Sequence, residues 1–546
     1  MAVVTAGRKP EPAAAQIQAG RRTIVTIAAM LGMFLAAMDS TAVGTAMPTI
    51  VAAFGGLALY SWVFAAYQIA FVVTTPIFGR LADLHGRKRI YLLGILWFIA
   101  ASALCGLSRS MGELVFFRLL QGVGGGAVLP IALTIIADLF PVEQRLRIQG
   151  LFSGVWGLAA IVGPLIGGAL ADHGVWRWIF FVNIPAGLVA TLILTLAFRE
   201  SPVAQRSGSI DYAGIGLLSG ASIVLLLLIF WGGHEFAWLS APSFALAALC
   251  AVLLLWFVHV ETHTGAPFLP FSLFSNRMIS VASLGGFLIG VSIFGTTAYV
   301  PLFVQGVIGK SATTAGEALM PYMVMWTVSS IVGGRVALRW GYRPVTVAGM
   351  TLLSTGALLL TQLGAGASTA VVFVDMVVLG SGMGLTATMF IIAMQNAVAR
   401  PLRGIVTSIN IFTRNLGSAI GVSAQGAVLV GVLDARLAHL PPALRANLHS
   451  IADPQAMLDS TSQSGLSPAG HEALRQALAQ GIHGAFVLGL GLVALGLAAV
   501  VLYMPAGSVT EHSPETASAA GRVASVERAD GRASRGLVRE SGDGET

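Results

Sequence analysis

The sequence predicts an all-α polytopic membrane protein: fourteen transmembrane helices, arranged as two pseudo-symmetric six-helix bundles with two further helices inserted between them. Three observations predict it. Hydrophobic residues make up 56% of the 546 positions and charged residues only 10%, against about 25% charged in soluble proteins, and the mean hydropathy is +0.82. The apolar runs are about 20 residues long and do not alternate, so they read as spanning helices rather than barrel strands. Short basic stretches separate the runs, and they fall almost entirely on one side.

Spans are expected near 23–47, 58–78, 90–107, 111–137, 147–170, 177–198, 212–230, 241–260, 279–305, 314–337, 344–362, 369–398, 403–431 and 481–504. An even number puts both termini on one side. That side then carries 23 of the 31 Lys and Arg residues and the other side six, the bias expected for cytoplasmic termini at the cytoplasmic (inner) membrane. Arg8, Lys9, Arg21 and Arg22 precede the first long run with no cleavage site, so an uncleaved first span is expected. The organisation predicted is a cytoplasmic tail at 1–22, an N-terminal six-helix bundle at 23–198, two inserted helices within 199–260, and a C-terminal bundle at 261–504. The last contains an extracytoplasmic loop at 432–480, whose amphipathic stretch 471–480 suits a protein or lipid surface. Residues 505–546, rich in Ser, Gly, Glu and Arg, read as a disordered cytoplasmic tail.

Composition also excludes function classes. The net charge of +7 sits in loops and tails around the spans, so membrane lipids rather than nucleic acid are the expected partners. Cys105 and Cys250 lie singly in apolar runs, which argues against a disulfide framework or thiolate metal site. No HExxH, nucleophile elbow or P-loop appears and the ten histidines are scattered, so no enzyme or metal site is expected.

The eleven residues GRLADLHGRKR, Gly79 to Arg89, are the most informative segment. Two glycines, one acid and four cations form a tight turn at a membrane face. Shifted by 255 positions, Gly79, Arg80, Ala82 and Gly86 fall on Gly334, Arg335, Ala337 and Gly341; a shift of 254 puts Gly163 and Gly167 on Gly417 and Gly421. The agreeing offsets indicate duplicated halves, as in secondary transporters whose substrate site lies between repeats.

In the first span, Ala28, Gly32, Ala36, Ser40 and Gly44 form a small-residue stripe for close helix contact. Asp39 lies one residue off it and is expected to face the bundle interior. Desolvation disfavours the charged form of a buried carboxylate, which equips such an acid to exchange a proton; a structural partnership with a cation is the alternative. Arg118 lies about seven residues inside its span, roughly 10 Å deep, a depth that matches Asp39. Gly122 and Gly126 are expected to let that helix approach the first one. In the second half, Glu317 reads as closing the capping-box pattern Thr314-Ala-Gly-Glu317, with proton or substrate coupling as the alternative. Asp375 lies near the counterpart of Arg118, and Arg414 near the middle of its span; each reads equally as a coupling residue or a packing partner. Asp211 reads as an N-cap.

The chain resembles the major facilitator superfamily, specifically its fourteen-helix drug:proton antiporter branch, from Thr23 to Met504. LGMFLAAMDSTAVGTAMPTI resembles the branch's first-helix motif, with Asp39 at the acid. The loop matches the superfamily's motif between helices 2 and 3 through Gly79, Asp83, Gly86, Arg87 and Lys88, and RLLQGVGGGAVLP matches the fourth-helix motif with Arg118 as its arginine. Gly150, Gly163, Pro164, Gly167 and Gly168 match the antiporter motif of the fifth helix, with Ala159 where a glycine is usual. WRWIFFVNIP, YVPLFVQGVIGKS and RNLGSAIG, which contains Arg414, look like the same branch. The resemblance implies a monomeric multidrug efflux protein of the antibiotic-resistance type, exporting small lipophilic cationic compounds by alternating access. Protons would be the coupling ion, with no other cofactor. It further implies proton or substrate coupling at Asp39 and Arg118, a gate latch at Asp83 held by forks such as those of Arg145 or Arg147, and a seal against the opposite half at the fifth-helix glycines. A lipid or siderophore exporter, or a nutrient symporter, would share most of these motifs.

Overall fold

The computed structural model describes residues 12–54, 59–200, 211–232, 236–265, 267–439 and 468–506. Among them there are long helices and no strands, as the hydropathy demands: the backbone of a segment in hydrocarbon must satisfy its own hydrogen bonds. The N-terminal bundle comprises α1 (Pro12–Phe54), α2 (Tyr60–His85), α3 (Arg87–Leu107), α4 (Met111–Leu139), α5 (Val142–Asp172) and the pair α6 (Trp178–Phe181) and α7 (Asn183–Ala197). The inserted hairpin is α8 (Tyr212–Trp231) and α9 (Ala241–His263). The C-terminal bundle begins with α10 (Arg277–Ile289), a π-turn at Gly290–Phe294, α11 (Gly295–Leu302) and a second π-turn at Phe303–Val307. It continues through α12 (Ala312–Trp340), α13 (Tyr342–Thr361), α14 (Thr369–Asn396), α15 (Arg403–Ala438) and α16 (Pro468–Tyr503).

Thirteen of the predicted spans are long and apolar enough to cross a membrane. The fourteenth, α12, is 29 residues long and packs along α14 and α5; Thr327, Ser329, Ser330 and Arg335 dilute its hydropathy. Successive helices alternate in direction, which brings both ends of the described chain to the end that carries the Gly79–Arg89 loop, called the loop end below.

Two boundaries differ from expectation. Helix α1 starts at Pro12, inside the predicted tail. The stretch 471–480 is the opening of α16 and not part of the loop; it is amphipathic, with Leu474, Ala477 and Leu478 buried on the C-terminal core and His471, Glu472 and Gln476 exposed. The tail predicted at 505–546 lies almost wholly outside the described residues, as does 440–467 of the predicted loop. Cys105 and Cys250 are buried free thiols.

Glycine contacts fix how the two bundles correspond. Gly122 and Gly126 of α4 press against the Tyr67 and Phe71 carbonyls of α2, and Gly380 and Gly384 of α14 press against the Tyr322 and Trp326 carbonyls of α12. Gly124 meets Phe98 of α3 as Gly382 meets Leu353 of α13. The same glycines correct an expectation: Gly122 and Gly126 bring α4 to α2, not to α1. In the predicted stripe of α1, Gly32 fits under Tyr91 of α3, whereas a Cβ on Gly44 would meet nothing within 4 Å.

Candidate functional site: a buried ion pair and a loop-end latch

Asp39 is fully buried, as its place beside the stripe predicted. Its Oδ2 accepts from Arg118 at 2.5 Å, and its Oδ1 accepts from Gln121 at 2.9 Å and from Asn183 at 2.8 Å. Arg118 also donates to the Gln121 amide oxygen at 2.6 Å and lies over the Tyr67 ring, 4.3 Å from its centroid. Ser102 accepts from both Gln121 and Asn183 and donates to the Phe180 carbonyl. Five helices (α1, α2, α3, α4 and α7) thus converge on one ion pair closed from solvent. Gln121 sits three residues beyond Arg118, so both reach the same helix face. Desolvating two charges is costly, and a fully donor-saturated carboxylate offsets that cost. Gln121, Asn183 and Ser102 escaped sequence reasoning. Asn183 stands inside the quoted motif WRWIFFVNIP, but a neutral amide in an apolar run carries no signal of its own until its neighbours are known.

The second cluster lies at the loop end. Gly86, at φ +93°, turns α2 into α3, a backbone conformation that favours glycine. Glu200 accepts from the Arg87 and Lys88 amides just beyond it, which caps α3. Asp83, 7% exposed, accepts from Arg87 at 3.1 Å and from the Gly404 and Ile405 amides at 3.0 and 2.8 Å. Those two N–H groups belong to the first turn of α15, which has no intrahelical acceptor for them. A carboxylate at a helix N-terminus is also favoured by the helix dipole. Arg87 further pairs with Asp138 at 2.8 Å and donates to the Arg400 carbonyl at 2.7 Å. Asp138 completes the cluster with Arg400 and Arg403, each at 3.4 Å. Arg145 donates to Asn396 at 2.8 Å rather than to Asp83; the Arg147 side chain lies outside the described residues. Lys88 reaches the Thr195 and Phe198 carbonyls, within its own bundle. The bonds joining the two bundles therefore cluster at the loop end and hold it shut. Asp138 was not foreseen, because an acid at the end of an apolar helix reads equally as a boundary residue.

The fifth-helix motif divides its work. A Cβ on Gly150 would strike Ile331 of α12, in the opposite bundle, whereas Gly163 and Gly167 press against Met38, Thr41 and Ala42 of α1 in their own bundle. Gly168 meets nothing within 4 Å. Helix α5 runs unbroken through Pro164. Within the motif, the contact with the opposite half is thus made by Gly150, and Gly163 and Gly167 seat α5 on the helix that bears Asp39.

The second-half candidates do not assemble. Asp375 is buried, and its Oδ2 has no hydrogen-bond donor. The contact register pairs Arg118 with Met376, not with Asp375. Glu317 is exposed, and Ser311, not Thr314, caps α12 by accepting from the Thr314 amide; the predicted capping box fails because the helix starts earlier. Arg414, midway along α15, interacts electrostatically with Tyr322, and its Nε has no hydrogen-bond acceptor. Neither Asp375 nor Arg414 forms an ion pair among the described residues.

The Major Facilitator Superfamily profile matches residues 29–211 and 212–422. The chain is 35% identical over 508 residues to the multidrug transporter protein MdtP of Bacillus subtilis, covering 89% of this chain and 93% of that protein. It is 34% identical to multidrug resistance protein 3 of the same organism (88% and 94% covered) and 32% identical to the efflux pump dotC of Dothistroma septosporum (90% and 85% covered). Among solved structures, the human organic anion transporter MFSD10 superposes with a TM-score of 0.57 at 16% identity, over 88% of this chain and 99% of that one. The proton:xylose symporter XylE gives the same score at 13% identity, over 91% and 98%. The fold, the profile and these relatives agree, and the chain belongs to the Major Facilitator Superfamily of membrane transporters.

Proposed function

We propose that the protein is a proton-driven antiporter that exports small lipophilic, cationic drugs or toxic compounds across the cytoplasmic membrane, with both termini cytoplasmic. The observation that carries this reading is the sealed Asp39–Arg118 pair. A proton arriving at Asp39 neutralises the carboxylate, leaves Arg118 without its counter-ion, and favours rearrangement of the five helices that meet there. Loss of the proton restores the pair. The relatives named as multidrug transporters and efflux pumps support export of drug-like compounds over uptake of a nutrient. With the loop end latched, the described conformation suits release to the outside, and unlatching at Asp83 opens the route for loading from the cytoplasm.

No ATP is needed. A membrane potential of about 150 mV contributes about 3.4 kcal/mol per charge moved, equivalent to about a 300-fold gradient of a neutral compound. Exchange of one proton for one monovalent cation is electroneutral, so the pH difference alone would drive it. The test is transport of a cationic dye into everted vesicles, whose cytoplasmic face points outward, across a compound panel. Transport that collapses with a protonophore or nigericin and survives valinomycin is expected. Transport unaffected by any of them, or uptake driven by an inward proton gradient, overturns the reading.

A further inference from the structure

The inserted hairpin ends in an acid pair that the proposed cycle leaves unused. Asp211 caps α8, its Oδ1 accepting from the Gly214 amide at 2.8 Å. Glu261, in the last turn of α9, is 3% exposed, and its Oε1 accepts from the Leu269 amide, tying α9 to the chain that leads into α10. The second oxygen of each carboxyl, Asp211 Oδ2 and Glu261 Oε2, is buried without a hydrogen-bond donor. Both lie 2.6 Å from the point a Cβ on Gly214 would occupy, so they face one another across that glycine.

Two ionised carboxylates cannot hydrogen-bond to each other, since both only accept. One proton between them turns two orphaned acceptors into a donor and an acceptor, as when two carboxyls share a site. Arg80 of α2 is the cation that acts on Glu261, and its guanidinium donates to the Pro267 carbonyl at 3.5 Å. The histidines of α9, His259 and His263, stack on each other at exposed positions, and its remaining titratable group, Cys250, lies about three turns from Glu261. Among the described residues, one cation beside two acids leaves one negative charge in excess, which a proton cancels.

We propose that Asp211 and Glu261 bind one proton between them, a titrating site separate from Asp39 that fastens the ends of the inserted hairpin to the loop entering the C-terminal bundle. With the proton bound, the start of α8, the end of α9 and residues 267–270 are held as one unit beside Arg80. When it leaves, like charges drive the two carboxyls apart and release residues 267–270 from Glu261.

Infrared difference spectra of the full-length protein in nanodiscs test this. Wild type minus Glu261→Gln at neutral pH should show a protonated-carboxyl C=O band that disappears as the pH is raised. Asp211→Asn, which keeps an N-cap side chain, should lose the same band, and Asp39→Asn should keep it. Protection of the amides at 267–270, taken relative to the base-catalysed intrinsic exchange rate, should fall with pH in the wild type and stay flat in Glu261→Gln. A spectrum without that band at any pH, or a band that survives Asp211→Asn, overturns the proposal. If Glu261→Gln does not fold, wild type minus Asp211→Asn carries the same test.

Discussion

The two bundles share a packing scheme and differ in what it encloses. The glycine contacts that pair Gly163 with Gly417 and Gly167 with Gly421 set Met38 against Phe287 and Ala42 against Val291, which places Leu288 opposite Asp39. The α4 and α14 contacts likewise set Met376 opposite Arg118 and Leu379 opposite Gln121, while Tyr322 retains the place of Tyr67. One bundle therefore holds a sealed ion pair where the other holds apolar side chains. The C-terminal bundle instead breaks its first helix with π-turns, as transmembrane helices do at functional sites. Gln425 donates to the Val291 and Ser292 carbonyls in the first of them, each at 3.0 Å. The frame is present twice, and a buried ion pair stands in only one copy among the described residues.

The latch shows why such asymmetry is not arbitrary. Leu338 stands where Asp83 would fall in the second half. Asp83 caps α15 because that helix begins at Arg403, leaving the Gly404 and Ile405 amides free. The counterparts of these residues, Gly150 and Leu151, lie about two turns inside α5, which begins at Val142. Their amides already have intrahelical acceptors, so an acid at 338 would find nothing to cap.

The largest expected effect comes from removing the charge that distinguishes the bundles. Asp39→Asn keeps an oxygen for Gln121 and Asn183 but leaves Arg118 uncompensated. Proton-driven efflux in everted vesicles should fall to background, with a loss of stability of about 3–5 kcal/mol. Normal efflux of every substrate would falsify coupling at this residue. The pairing can also be transplanted. Met376→Arg alone buries an unpaired cation and should unfold much of the protein, and adding Leu288→Asp should recover part of the thermal midpoint. A double mutant no better than either single one would break the proposed correspondence.

How far the sequence foretold these differences depends on what kind of signal each leaves. The spans were legible because long apolar runs alternate with short polar ones, and Asp39 and Arg118 stood out because charge inside an apolar run needs a reason. Gln121, Asn183 and Ser102 were not, since neutral polar residues are tolerated in helices that pack on one another. Asp138 was hidden for a related reason: its role needs Arg87 and the pair Arg400 and Arg403, which come from two stretches of chain far from it and from each other. The misplaced cap at Thr314 and the offset assigned to Asp375 share one cause. Both turn on where a helix begins or which turns face each other, and side-chain type does not encode either to within a residue.

A smaller effect is expected at the latch. Asp83→Asn loses the ion pair with Arg87 and weakens the cap on α15, a change of about 1–2 kcal/mol. A cysteine placed at Ser408, which lies buried against Gly79, should then react faster with a maleimide added from the loop end. Leu338→Asp should create no second latch and leave that rate unchanged. Equal acceleration by both changes would mean that the two halves latch alike after all.

The smallest effect separates motif from contact within α5. Gly167 admits no side chain, because an added Cβ would sit 2.4 Å from the Ala42 carbonyl, a backbone atom that cannot swing aside. Gly168 meets nothing within 4 Å, and the C-terminal bundle carries Val422 at its counterpart. Gly167→Ala should therefore push α5 away from the helix bearing Asp39, lowering both thermal midpoint and efflux. Gly168→Ala should change stability by less than about 1 kcal/mol, with any gain coming from the helix preference of alanine over glycine. A Gly168→Ala protein as impaired as Gly167→Ala would show that Gly168 makes a contact in another state of the cycle. In that case α5 must rotate about its axis as the bundles rock, and the contacts of the latched state describe only one half of its work.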